Sequence, residues 1–279
     1  METLEHRRFA EFCDACRRYG YIGLCYGSPG VGKTLSARHY SGWDKVKRTD
    51  YFHVETCDDS ILNTVFYTPS VVNTPRTIDT DIYRSRANLK ELAKRPLRRE
   101  RSERLDLICR RDQEHKRKAF ATCDWLNGET VPQLQPTFDQ VVEEFAAKER
   151  QIGDPTTLIV IDEADRLWMA ALEQVRAIFD AGEIGLILIG MPGIEKRLAR
   201  YPQFYSRIGF VHEFRPLSTT AIRQLLEQRW TPPRVSLPEQ PWPEEAIAAI
   251  IRMTGGNFRL LNRLLTQMER ILQVNGLHE

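Results

Sequence analysis

The chain has 279 residues, of which 42% are hydrophobic and 28% charged, the composition of a soluble globular protein with room for one large domain or two small ones. No apolar run reaches the roughly 20 residues a membrane-spanning helix needs, so no membrane partner is expected. The net charge of +2 hides an asymmetry: Arg76 to Lys118 carries fifteen Lys/Arg against eight Asp/Glu, which leaves the other 236 residues at −5 and points to a polyanion-facing segment on a mildly acidic body.

The N-terminus METLEHRRFAEFCDACRRYG reads as an amphipathic helix rather than a signal peptide, with Phe9, Phe12, Cys13, Cys16 and Tyr19 at helical spacing. YIGLCYG is a short buried strand, and the glycine-rich turn after it leads into a helix starting near Lys33. NTVFYTPS (63–70) is a second strand. Residues 71 to about 130 carry the basic segment, helical in RSRANLKELAKR and again after Leu97, with so few apolar residues that it is expected to project rather than pack. PTFDQVVEEFAAKER (136–150) returns to an amphipathic helix. TTLIVIDEADRL is a continuous apolar strand ending in acids, followed by a helix, a strand in IGLILIGMPG (184–193) and a last strand in GFVHEFRPL (209–217). Strands alternating with helices imply a parallel sheet with right-handed crossovers. PPRVSLPEQPWP is a proline-rich break in an otherwise helical C-terminal stretch, so an α/β domain is expected over 1–217, with a basic insertion at about 71–130, and a small all-helical lid over 218–279. The six cysteines are scattered, as in a reduced cytosolic protein, which sets a cytoplasmic expectation. Cys13-x-x-Cys16 with the looser pair His53 and Cys57 falls short of the two clear pairs a zinc site needs; two small thiols on a helix face explain the first pair.

The chemistry concentrates in a few places. Gly27-Ser28-Pro29-Gly30-Val31-Gly32-Lys33-Thr34, followed by Leu35, is the P-loop pattern. Its glycines let backbone N–H groups converge on phosphate oxygens at a helix N-terminus, Lys33 reaches the outer phosphates, and Thr34 ligates Mg2+. The pattern sits between a strand and a helix, as that mechanism requires. In LIVIDEAD the strand delivers Asp162 to its C-terminal end, where it holds the Mg2+ shell, and Glu163 follows as the general base for an attacking water. The strand GLILIG ends on Gly190-Met191, without the polar residue that often senses the terminal phosphate at such a tip. Among Arg197, Arg200 and Arg207, Arg207 is the first choice for an arginine acting across a subunit boundary, against the plainer reading of a solvated surface arginine. Arg259 opens a lid helix within reach of the terminal phosphate, with Arg263 as the alternative.

In this order the motifs resemble the AAA+ ATPases: GSPGVGKT matches Walker A, LIVIDEAD Walker B, YSRI the arginine finger and GGNFR sensor 2, over about residues 20 to 275. IDEADRL followed closely by LILIG, the RLARYPQFYSRI helix and the short lid look like the TnsC/TniB/MuB branch, the regulators of target choice in DNA transposition. That resemblance implies ATP-driven assembly on duplex DNA as a ring or helical filament, recruitment of transposase and target-selector proteins, and a reset by ATP hydrolysis. It also implies DNA contacts in the segment between the second strand and the Walker B strand, where Arg84, Arg86, Lys90, Lys94, Arg95, Arg98, Arg99 and Arg101 are the candidates; a solvated charged helix is the bland alternative, since acids are interspersed. The short N-terminal stretch leaves no place for a separate helical DNA-binding domain, and no winged-helix domain is evident after the lid, which weighs against a replication initiator. A helicase loader and a nucleotide-gated interaction module with no DNA role stand as the rival readings.

Overall fold

The computed structural model describes residues 3–48, 63–121, 136–228, 230–232, 235 and 242–275, with the backbone alone at Lys45, Lys47, Arg48, Ala119, Phe120 and Ala121. His53, Cys57, Cys123 and much of the proline-rich break lie outside these residues. The described residues fall into two compact units: one drawn from Met1–Cys57, Asn63–Ile82 and Thr157–Glu279, the other from Tyr83–Thr156.

The first unit is built on a five-stranded parallel sheet in the order β2-β3-β4-β1-β5. The strands are β1 (Ile22–Tyr26), β2 (Thr64–Tyr67), β3 (Leu158–Ile161), β4 (Gly185–Gly190) and β5 (Ile208–Glu213). β2, β3 and β4 are buried along their whole length, which is why their sequences read as unbroken apolar runs. β5 lies at the edge and alternates half-buried with exposed residues; it ends at Glu213, short of the expected 217, where the Phe214 N–H makes a last bond to the Tyr26 carbonyl, the Leu217 N–H bonds the Gly256 carbonyl instead, and both side chains turn in to pack.

Helix α1 (Leu4–Tyr19) lays Phe9, Phe12, Cys13 and Cys16 onto the sheet. Both thiols are wholly buried, and burial raises the proton affinity of Cys13 far above an ordinary cysteine and pushes that of Cys16 up to about 12; they serve as small apolar side chains. Helices α2 (Lys33–Ser41) and α3 (Trp43–Arg48) follow β1, and α4 (Pro75–Ala93) follows β2. Helix α7 (Met169–Asp180) joins β3 to β4, and two short helices, α8 (Ile194–Leu198) and α9 (Pro202–Tyr205), lead into β5. The lid helices α10 (Thr219–Glu227), α11 (Glu244–Thr254) and α12 (Phe258–Val274) close around their own core of Leu217, Ile222, Leu226, Ile250, Leu261 and Leu265.

In the second unit, α5 (Arg95–Ala121) and α6 (Phe138–Gln151) pack together. The expectation that the basic segment projects without packing is corrected here. Ile108, Val141 and Phe145 form a small buried cluster with Leu97 and Leu105 against it. Phe145 is further covered by the Arg104 guanidinium and, at 4.7 Å from the ring centre, the Lys148 ammonium. The apolar residues are few, but they meet.

Candidate nucleotide-binding site

β1 ends at the P-loop, and the loop's shape follows from what surrounds it. Gly30 (φ 81°) and Gly32 (φ 113°) take left-handed backbone that a residue with Cβ adopts only under strain. A side chain at Gly27 would meet the Phe214 carbonyl oxygen at 2.3 Å. Helix α2 therefore starts at Lys33 with its free N–H groups facing the concavity. The buried Lys33 ammonium donates to the carbonyls of Gly27 and, at 2.9 Å, Ser28. Burial lowers its proton affinity, and the charges of Asp162 and Asp165 oppose that.

Asp162 stands at the C-terminal end of β3 and is 3% exposed. Burial raises its proton affinity, opposed by hydrogen bonds from the Thr34 hydroxyl and the Glu163 N–H. Glu163 is the one non-glycine described residue with positive φ, at 52°. Its carboxylate is exposed and ion-paired with Arg166, whose guanidinium also donates to the Pro69 carbonyl.

These residues line one cavity of about 480 Å3, with Pro29, Gly30, Gly32, Lys33, Thr34 and Leu35 on one side, Asp162, Glu163 and Asp165 on another, and Met191 and Arg259 beyond. The lid is fastened to it directly: Asn257 caps α12 and donates from its amide to the Pro29 carbonyl at 2.8 Å, and the Arg259 N–H donates to the Gly30 carbonyl at 2.9 Å. Arg259 belongs to the cavity lining and Arg263 does not. Gly27, Ser28 and Val31 shape the loop without lining this cavity.

The structure places the three arginines before β5 apart from it. Arg197 is spent on the carbonyls of Asp165 and Leu167. Arg207 is held by Asp180 through two hydrogen bonds, of 2.6 and 2.9 Å, and donates to the Gln203 carbonyl. Arg200 is exposed.

A second cavity, of about 430 Å3, was not anticipated. It is walled by His6 of α1, Val31, Leu35 and His39 around α2, and Phe214, Trp230 and Phe258 towards the lid. It shares Gly32, Leu35, Phe258 and Asn262 with the first cavity, so the two adjoin. Its residues come from four distant stretches, and no local pattern links them.

A model described as an AAA domain matches residues 16–198, about two thirds of the chain. The chain belongs to the AAA domain family. A "Potential ATP-binding protein" from Staphylococcus aureus is 37% identical to this AAA protein over 99% of the chain and 90% of its own length. Among solved structures, Cdc6p from Pyrobaculum aerophilum is 18% identical with a TM-score of 0.53, covering 98% of the chain and 62% of its own. The ORC2 protein of Aeropyrum pernix in ADPNP–ADP complexes is 14% identical with a TM-score of 0.52, covering 100% and 66%. The present chain thus spans less than two thirds of those structures' length, and the likeness is one of fold.

The basic helices of this AAA protein divide into two sets. Arg86 pairs with Asp154 at 2.6 Å, Lys94 with Glu91 at 2.5 Å, Arg98 with Glu91 and Glu149, and Arg101 with Glu149 at 3.7 Å. Arg84, Lys90, Arg95 and Arg99 make no ion pair among the described residues. On α5 the paired arginines 98, 101 and 104 face α6, whose Glu144 and Glu149 receive them. The unpaired Arg95 and Arg99 share the opposite side with Arg110 and Arg117; at 3.6 residues per turn the four fall within about 60° of one another. Arg110 and Arg117 were not among the candidates, because position along the helix does not tell which charges a neighbouring helix will absorb.

Proposed function

We propose that this AAA protein binds and hydrolyses ATP and that ATP governs its assembly on duplex DNA. The observation that carries the reading is the single cavity gathering Lys33, Thr34, Asp162, Glu163 and Arg259 at the C-terminal ends of parallel strands, the place where open α/β sheets bind ligands. Lys33 and the amides of the loop hold the phosphates, Arg259 meets them from the lid, and the base enters the adjoining cavity between Trp230, Phe258, His6 and His39. Thr34 and Asp162 offer adjacent hard oxygen donors, the small ligand set that suits Mg2+. Mg2+, when bound, neutralises charge on the phosphate oxygens. Glu163 takes the proton of the attacking water once its carboxylate leaves Arg166. Arg207, released from Asp180, completes the site of a neighbouring copy.

The DNA part of the reading is supported by the unpaired stripe on α5. Arg95 to Arg117 spans about 33 Å of helix at 1.5 Å per residue, close to one turn of B-DNA, and contacts of this kind are salt-sensitive and indifferent to sequence. The finer assignment, a transposition regulator of the TnsC/TniB/MuB type that recruits transposase and target-selector proteins, is supported by the motif order.

The test is assembly on short duplex DNA with ATP, a slowly hydrolysed analogue, ADP or no nucleotide, followed by electron microscopy. Rings or filaments with ATP or the analogue alone, lost in Lys33→Ala, support the reading. Lys33→Ala assembling normally on DNA would sink it. Hydrolysis stimulated by a transposase separates the regulator from a helicase loader.

A further inference from the structure

The strand tip that lacks a polar residue is not empty of polar chemistry. Gly190 ends β4, and a Cβ built there would lie 2.8 and 3.2 Å from the two carboxylate oxygens of Asp165, and 2.5 Å from Ile194 Cδ1. The Met191 N–H donates to Asp165 Oδ2 at 2.7 Å. The carboxylate therefore fills the space a side chain at position 190 would claim, anchored by the backbone of the tip. Its other oxygen, Oδ1, has no hydrogen-bond partner among the described residues. Asp165 lines the same cavity as Lys33, Thr34 and Asp162, the end where the P-loop and the Walker B acids meet. Glu163, by contrast, is turned to Arg166. The fixed, unengaged carboxylate in the cavity is the third acid of the DEAD run.

We propose that Asp165 is a further catalytic residue, one that supplies from the Walker B turn the polar group that Gly190 and Met191 lack and orients the attacking water. An ionised carboxylate only accepts hydrogen bonds and repels a phosphate; with Thr34 and Asp162 assigned to Mg2+ and the Lys33 ammonium bonded to the Gly27 and Ser28 carbonyls, the donor left for Asp165 is the water. In the reaction the water oxygen bonds to the terminal phosphorus, the bond from that phosphorus to the bridging oxygen breaks, the electron pair leaves with ADP, and Glu163 receives the proton. Asp165 accepts the water's second O–H and takes no proton. The inference rests on the ATPase reading above.

The experiment compares wild type with Asp165→Asn and Glu163→Gln as full-length protein on duplex DNA. It measures kcat for ATP hydrolysis, affinity for ADP and for a slowly hydrolysed ATP analogue, and Tm. Asparagine keeps an oxygen for the Met191 N–H and removes the charge. The expected result for Asp165→Asn is a kcat lowered about tenfold or more, the size of effect a positioned group at the reacting centre has, with Tm and ADP affinity unchanged and analogue affinity equal or tighter. A kcat within about twofold of wild type overturns the proposal, the margin being well under 1 kcal/mol of barrier. Parallel losses of Tm and of affinity for both nucleotides also overturn it, because they show a structural anchor only. If Glu163→Gln is silent while Asp165→Asn is fully active, this inference alone fails; if wild type binds no nucleotide, the ATPase reading fails with it.

Discussion

Gly27 leaves the P-loop no latitude: any Cβ there runs into backbone, the Phe214 carbonyl. Gly27→Ala is expected to cost about 1–3 kcal/mol of stability, the usual range for overpacking, and to weaken nucleotide affinity with it; a denaturant titration beside a binding isotherm measures both. Lys33→Ala removes the one buried cation of the cavity and should abolish ATP binding while leaving Tm close to wild type. His212 belongs to a different chemistry. It stacks on Phe12 with ring centres 5.4 Å apart, and its buried Nε2 has no hydrogen-bond partner among the described residues. Burial lowers its proton affinity in the folded state, against a pull from Glu5. The folded state therefore binds fewer protons here than the unfolded one, so this stability is in place above about pH 6.5, the unfolded value, and is lost as pH falls through the lowered folded one. His212→Phe, which keeps the aromatic packing, should flatten the acid limb of a Tm-against-pH series.

Among the elements, α5 is where charge is sorted. Replacing Arg95 and Arg99 by Ala should lower the slope of log affinity for duplex DNA against log salt by about 0.9 for each phosphate they no longer neutralise, with no change in thermal stability. Arg101→Ala and Arg104→Ala act on the packing with α6 instead, and should lower stability with little effect on that slope. Phe145→Ala opens a cavity under α5 and should cost about 3–5 kcal/mol of local stability, read as reduced amide protection in α5 and α6.

The elements also show what the sequence made legible. β1, β3 and β4 were plain because a buried parallel strand is apolar at every position, and the two acids after β3 could point nowhere but the end of the sheet. The small core of α5 and α6 was legible only on the α6 side, where Val141 and Phe145 share one face of an amphipathic helix; its α5 members, Leu97, Leu105 and Ile108, sit among charges and announce no face. The role of Gly190 was unreadable for another reason. A glycine says that space is needed, not who takes it, and the occupant, Asp165, comes from a different strand end. The second cavity was hidden because four remote stretches share it.

On the scale of the whole molecule, the lid grips the P-loop from above. Asn257 caps α12 and tethers Pro29 at once, so Asn257→Ala should cost about 1 kcal/mol through removal of the cap and speed ADP release, which stopped-flow fluorescence would report. Among the described residues no helix is long and apolar enough to cross a membrane.

That tether spans 228 positions of sequence. In a growing chain the pieces that clasp the loop's outer carbonyls are made some 228 residues after the loop itself. At about 5–20 residues per second the interval is on the order of ten seconds to most of a minute. The loop therefore waits for its clasp, and a chain cut short before Asn257 carries the P-loop and the acids after β3 without the contacts that hold the Pro29 and Gly30 carbonyls.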